Sequence, residues 1–319
     1  MDKPVITNYA LAQSAIETLS RPQKTLEAKW FYDQRGSELF EQITQLPEYY
    51  PTRTEIAILE RHATRIARHV PDGGVLLELG SGASVKTRLL LDALPRLGAY
   101  APLDISADFL LETAAQLQGA YPGLTITPVV GDFMAPLPDP SDLRGLPKTV
   151  FFPGSTIGNL TPDEAVALLR RIRSLPDVTA LILGADLIKE ASRLIDAYDD
   201  AQGVTAAFNL NLLQRINQET GADFDLGAFR HQARWDDSRA CIEMHLVSTK
   251  AQTVTIAQPI GVQVFHFEEG ESIHTENSHK YSRTHLTRMA ELSGWKLSDD
   301  ITDPANDFSV CILTPGAPD

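Results

Sequence analysis

Five short apolar runs, each followed by a stretch of helical periodicity, constrain this chain more than any other feature. They are Val75–Leu79, Ala99–Asp104, Thr125–Val130, Thr149–Phe152 and Thr179–Leu183. A run that is apolar at successive positions has no face to turn to water, so it belongs in a sheet covered on both sides. Alternation with helices makes that sheet parallel. The first helix is expected over Arg53–Val70, where Ile56, Ile58, Leu59, Ala63, Ile66, Ala67 and Val70 recur at helical spacing before Pro71-Asp72-Gly73-Gly74 breaks it. Others are expected over Lys86–Leu94, Phe109–Leu117 and Pro162–Ser174. The pattern then changes. A helical stretch at Ala206–Gln218 precedes strand-like alternation at Cys241–Ser248, Thr253–Ile256 and Gly261–Glu268, and only afterwards come a helix, Arg283–Ser293, and strands at Lys296–Ser298 and Phe308–Thr314. The expected fold is therefore α/β: a Rossmann-like sheet domain of residues 56–187 and 279–319. It is interrupted by a second, α+β domain of residues 188–278, to which residues 1–55 contribute.

Charge and cysteine usage narrow the function. With 28 Lys and Arg against 42 Asp and Glu, the net charge of −14 repels a phosphate backbone, so no nucleic-acid partner is expected. Cys241 and Cys311 show neither disulfide-scaffold nor zinc-type spacing, which suits a reducing, cytoplasmic compartment. Residues 1–20 lack a secretory apolar core, and the most apolar windows fall short of the roughly 18 residues that span a bilayer. A cytoplasmic monomer with a small-molecule partner is the expectation.

The first apolar run ends in Leu77-Glu78-Leu79-Gly80-Ser81-Gly82. Glycines there let backbone approach a ligand, and the following helix offers unpaired N–H groups; a purely structural turn would look the same. Asp104, at the end of the second run, is placed to accept hydrogen bonds from ribose hydroxyls, which argues for a nucleoside cofactor. A dinucleotide fits poorly, because Val85 stands where the third glycine of G-x-G-x-x-G belongs. S-adenosylmethionine has no pyrophosphate to cradle, and acidic or polar strand ends suffice for it. Glu78 and Gly131-Asp132-Phe133 suit that role, Asp132 as acceptor for the adenine amine and Phe133 beside the ring. Taken singly, Asp132 and Phe133 read more readily as a loop aspartate and a core phenylalanine.

Five segments go further: Leu46–Arg53 (LPEYYPTR), Glu78–Gly82, Phe151–Asn159 (FFPGSTIGN), Ala197–Asp200 and Ile273–Lys280 (IHTENSHK). Through them nearly the whole chain resembles the S-adenosylmethionine-dependent histidine N-alpha-methyltransferases of ergothioneine biosynthesis. The resemblance implies a class I methyltransferase sheet with an inserted substrate-binding domain. It implies three methyl transfers from S-adenosyl-L-methionine to the α-amino group of L-histidine, yielding hercynine. The implied cofactor residues are Gly80, Lys86, Asp104, Asp132 and Phe133. The implied substrate residues are Tyr32, Tyr49, Gly154, Asn159, Tyr198, Met244, Glu276 and Ser278, with Tyr49, Gly154 and Asn159 nearest the chemistry. Without the resemblance, Tyr49 reads as a half-buried aromatic with its hydroxyl at the surface, and Asn159 equally as a turn residue.

The residue types suit the reaction. A methyl group leaves a sulfonium without protonation, so catalysis is mostly the in-line positioning of a neutral amine. Glu276 and Ser278, two apart in extended chain, share a side and suit the two imidazole nitrogens. His274, Glu276 and His279 together suggest zinc, but methyl transfer needs no metal and none is expected. Competing readings are methylation of a related amine such as a tryptophan derivative, a catalytically silent amino-acid-binding module, and a NAD-dependent dehydrogenase.

Overall fold

The structure is a computed structural model that describes residues 6–82, 85–137, 141–257 and 261–316. In chain order its elements are α1 (Tyr9–Leu19), α2 (Gln34–Thr44), α3 (Tyr50–Ala67), β1 (Val75–Leu79), α4 (Val85–Asp92), β2 (Ala99–Asp104) and α5 (Ala107–Ala120). Next come β3 (Thr125–Ile126), β4 (Val129–Val130), β5 (Lys148–Phe152), α6 (Pro162–Arg173), β6 (Val178–Asp186), α7 (Ala191–Tyr198) and α8 (Val204–Thr220). The chain ends with β7 (Phe229–Asp236), β8 (Cys241–Ser248), β9 (Gln252–Ala257), β10 (Val262–Phe267), β11 (Ser272–His279), α9 (Arg283–Leu292), β12 (Trp295–Thr302) and β13 (Phe308–Pro315). It divides into two compact units, Met1–Tyr50 with Lys189–Ser278, and Pro51–Ile188 with His279–Asp319. Residues 51–55 and 188 thus fall with the sheet.

The sheet unit has the strand order β12-β13-β6-β5-β1-β2-β3, with β4 also on β2. β1, β2, β5 and β6 are parallel, and β13 runs antiparallel to both β6 and β12. Alternate residues explain why the strands read as continuous apolar runs. Leu77, Leu79, Val150, Phe152, Leu181 and Leu183 join one core layer with α6 and α9. Leu76, Tyr100, Phe151, Ile182 and Ile312 join the opposite layer under α3, α4 and α5. Because β1 lies between β2 and β5, the sequence order reverses there. In such sheets ligands sit beyond the strand ends at that switch point. The expected single strand Thr125–Val130 is instead two bridges, one to each end of β2, because Pro128 has no N–H to carry the ladder through. The helix expected over Arg53–Val70 is α3, which begins at Tyr50 with Pro51 in its first turn and ends at Ala67.

The other unit packs α1, α2, α7 and α8 with a three-stranded sheet, β11-β8-β7, and a hairpin, β9 with β10. Its core is aromatic: Phe31 stacks on Phe208 at 4.6 Å, and Phe40, Phe224, Phe229 and Phe267 join it. Among the described residues, no helix is long and apolar enough to cross a membrane.

Candidate active site

Within the sheet unit, the expected cofactor residues follow the ends of β1, β2 and β4. Gly80 and Gly82 have φ of +71° and +47°, and a Cβ on either would meet nothing within 4 Å among the described residues, so none of these closes over the turn. Asp104 braces this turn. Its two oxygens accept the Gly82 amide at 3.2 Å and the Ser106 amide at 3.0 Å, and a carboxylate keeps further acceptor capacity beyond these two bonds. Ser81 Oγ is buried without a hydrogen-bond partner among the described residues. An open glycine turn, a carboxylate with acceptor capacity and an orphaned hydroxyl fit a nucleoside with ribose hydroxyls. Asp132 Oδ1 accepts the Met134 amide at 2.7 Å, and Phe133 meets Phe152 edge-on at 5.3 Å. Ala83 and Ser84, which enter the argument against a dinucleotide, lie outside the described residues.

Glu78, expected among the strand-end acids, is held within the sheet. It is fully buried in β1, receiving the hydroxyls of Thr87 at 2.6 Å and Tyr100 at 2.5 Å, and so ties α4 and β2 to the strand. Burial pushes its carboxyl from 4.5 up to about 7, against the pull of those hydroxyls and of Lys86. Below pH 4.5 the carboxyl is protonated whether folded or not; between the two values only the folded chain keeps the proton, so stability falls as pH rises through that window. Glu78→Gln has no proton to lose. Compared with the natural sequence, the variant should gain about 2–3 kcal/mol in urea unfolding between pH 5 and pH 8. An unchanged difference between the two pH values contradicts the raised pKa.

The turn after β5 is held in left-handed backbone by Gly154 (φ +77°) and Ser155 (φ +56°) and continues as the short helical turn Thr156–Asn159. Gly158 is needed because a Cβ there would lie 2.7 Å from the His279 carbonyl, and the Tyr281 hydroxyl donates to Ile157 O at 3.2 Å. Asn159, at the end of this turn, is half-buried. Lys86, in the first turn of α4, pairs with Glu55 of α3 at 2.5 Å, and Glu55 also accepts the Gly154 amide.

In the other unit, four of the expected substrate residues form one connected series. Tyr32 meets Phe40 edge-on at 5.8 Å, Phe40 meets Tyr49 at 6.2 Å, and Tyr49 meets Tyr198 at 6.0 Å. The Tyr198 hydroxyl then shares a 2.7 Å hydrogen bond with Ser278 Oγ. Tyr49 is buried, not the half-buried aromatic that the turn alone suggests. Met244 is buried in β8, while Glu276 and Ser278 lie two apart in the neighbouring strand β11, Glu276 half-buried. His274 directs Nε2 to the Glu276 carbonyl at 3.0 Å.

Two residues, His231 and Glu55, are not singled out by the sequence. Asn209 donates to Nδ1 of the buried His231, so His231 Nε2–H donates to the Tyr198 carbonyl at 2.7 Å and seats that tyrosine. Burial lowers the His231 pKa more than the Tyr198 carbonyl and Asp199 raise it, in keeping with this neutral tautomer. Glu55 stands among polar residues in the sequence; its spacing of three and four residues from buried Ile58 and Leu59 is the signal that places it inward.

The sequence profile of the histidine-specific, S-adenosylmethionine-dependent methyltransferases matches residues 11–315. The chain belongs to this family. This methyltransferase is 44% identical to the histidine N-alpha-methyltransferase of Mycolicibacterium smegmatis, over 96% of this chain and 98% of that one. It is 42% identical to the protein of the same name from Mycobacterium tuberculosis, over 96% and 95%. Ergothioneine biosynthesis protein 1 of Neurospora crassa is 34% identical over 66% of this methyltransferase and 25% of its own length.

Proposed function

We propose that this methyltransferase converts L-histidine to its Nα-trimethylated betaine, hercynine, in three successive transfers, the opening step of ergothioneine synthesis. What carries the reading is the strand-end set at the switch point, the open Gly80–Gly82 turn braced by Asp104, in a chain matching the histidine-specific family over 11–315. S-adenosylmethionine, when bound, supplies a methyl group on a cationic sulfur that leaves without protonation. We assign its binding to Gly80, Lys86, Asp104, Asp132 and Phe133 of the sheet unit, and Ser81 Oγ is available to it.

We assign the amino acid to Tyr32, Tyr49, Asn159, Tyr198, Met244, Glu276 and Ser278. In each transfer the amine lone pair forms the N–C bond while the C–S pair stays on sulfur, and one proton leaves the nitrogen. Over three transfers the α-ammonium loses three protons. Tyr49, Asn159 and the backbone at Gly154 orient the amine without placing a carboxylate against it, which would favour the ammonium form. Cys241 and Cys311 are buried thiols, which supports a reducing, cytoplasmic setting.

The test is incubation with S-adenosylmethionine and each of the twenty amino acids, followed by mass spectrometry. A gain of three CH2 units on histidine alone is expected. A gain on tryptophan in preference to histidine, or on no amino acid, overturns the reading.

A further inference from the structure

Glu55 has no exposed side-chain surface, yet three separate parts of the sheet unit are shaped around it. Its oxygens accept the Gly154 amide at 3.1 and 2.9 Å, and Oε2 lies 2.5 Å from the Lys86 ammonium. A Cβ on Gly184, inside β6, would stand 2.2 Å from Oε1; a Cβ on Gly154 would stand 3.4 Å from Lys86 Nζ. Glycine inside a strand marks a close approach, and here the approaching group is this carboxylate.

A buried ion pair contributes little stability compared with apolar side chains of equal volume. What it does supply is a fixed address. A lysine ammonium on a flexible four-carbon stem samples many positions; paired with Glu55 it is held on the helix that follows the Gly80–Gly82 turn, with N–H donors to spare among the described residues. S-adenosylmethionine has one anionic group, the methionyl carboxylate, and that is what an ammonium recognises.

We propose that Glu55 is a positioning residue for the cofactor: it holds Lys86 at the place where the methionyl carboxylate binds and, through the Gly154 amide, sets the turn after β5 with the same carboxylate. This rests on the cofactor assignment made above. It adds a residue that touches neither substrate nor cofactor but acts through two that are assigned to them.

The test compares two ligands by calorimetry. S-adenosylhomocysteine carries the carboxylate; 5′-methylthioadenosine keeps the nucleoside and sulfur and lacks it. Glu55→Gln should weaken S-adenosylhomocysteine by about tenfold or more and 5′-methylthioadenosine by less than about twofold, the scale of one charge-assisted hydrogen bond. Gly184→Ala retains Glu55 but fills its seat and should give the same split, so the test survives if Glu55→Gln does not fold. Lys86→Met is the control for the assignment beneath. If Lys86→Met shows no split, Lys86 does not read the carboxylate and the proposal falls with that reading. If Lys86→Met shows the split while the foldable variants of the other two positions bind both ligands as the natural chain does, or lose both equally, Lys86 stands and Glu55 is merely structural.

Discussion

Lys280→Met should destabilise the chain by about 3–5 kcal/mol in urea unfolding, the scale for removing one partner of a buried ion pair. Lys280 Nζ lies 2.8 Å from Asp186 Oδ2, and neither side chain has any exposed surface. Methionine keeps most of the stem and its packing, so the loss reports the charge left behind on Asp186. The position matters because backbone hydrogen bonds dock the same segment on the end of β6, Tyr281 N to Asp186 O and Ile188 N to Tyr281 O. The turn containing Gly158 rests on the His279 carbonyl beside it. Combining Lys280→Met with Asp186→Leu removes both charges and should recover most of the stability. A loss below about 1 kcal/mol in the single variant, the range of an exposed pair, contradicts this account.

Glu276→Ala combined with Met244→Val should lower kcat/KM for histidine by about a hundredfold or more and bring detectable methylation of tryptophan. A site built to hydrogen-bond polar ring atoms rejects an analogue without them by about ten-thousandfold, because its own polar groups are left unpaired. The natural chain should therefore discriminate against phenylalanine on that scale. Removing the carboxylate also removes the cost of burying an uncompensated charge against an indole, and valine is smaller than the buried Met244 that it replaces. The measurement is turnover of histidine, phenylalanine and tryptophan by variant and natural chain, side by side. Full histidine turnover in the double variant, or natural-chain turnover of phenylalanine equal to that of histidine, shows that Glu276 does not read the ring.

The extent to which the fold was legible follows from where its information resides. Strands buried on both faces must be apolar at successive positions, so β1, β2, β5 and β6 announce themselves in the sequence. The Gly80–Gly82 turn and the strand-end acids Asp104 and Asp132 are local too, since a turn's chemistry is written in its own residues. β7 is hard to read as a strand because its inward positions include His231, and β11 shows only through the extended spacing of Glu276 and Ser278, since period-2 patterning by hydrophobicity fails where the buried side chains are polar.

Among the candidate residues, strand and turn positions were readable, but the roles of the buried charges were not. Glu55 and Glu78 look alike as isolated carboxylates in sequence. One lies under a strand glycine against Lys86 and Gly154, and the other lies between Thr87 and Tyr100 with its pKa lifted by burial. Lys280 likewise closes a recognisable block of residues, yet its partner Asp186 is 94 positions away and meets it only when the segment after His279 is laid against the end of β6. Sequence by itself determines periodicity, turns and the apolar content of each strand, because these depend on neighbours along the chain. The partner of a buried charge depends on neighbours in space, and desolvation leaves no trace in the sequence until the fold has closed around the group.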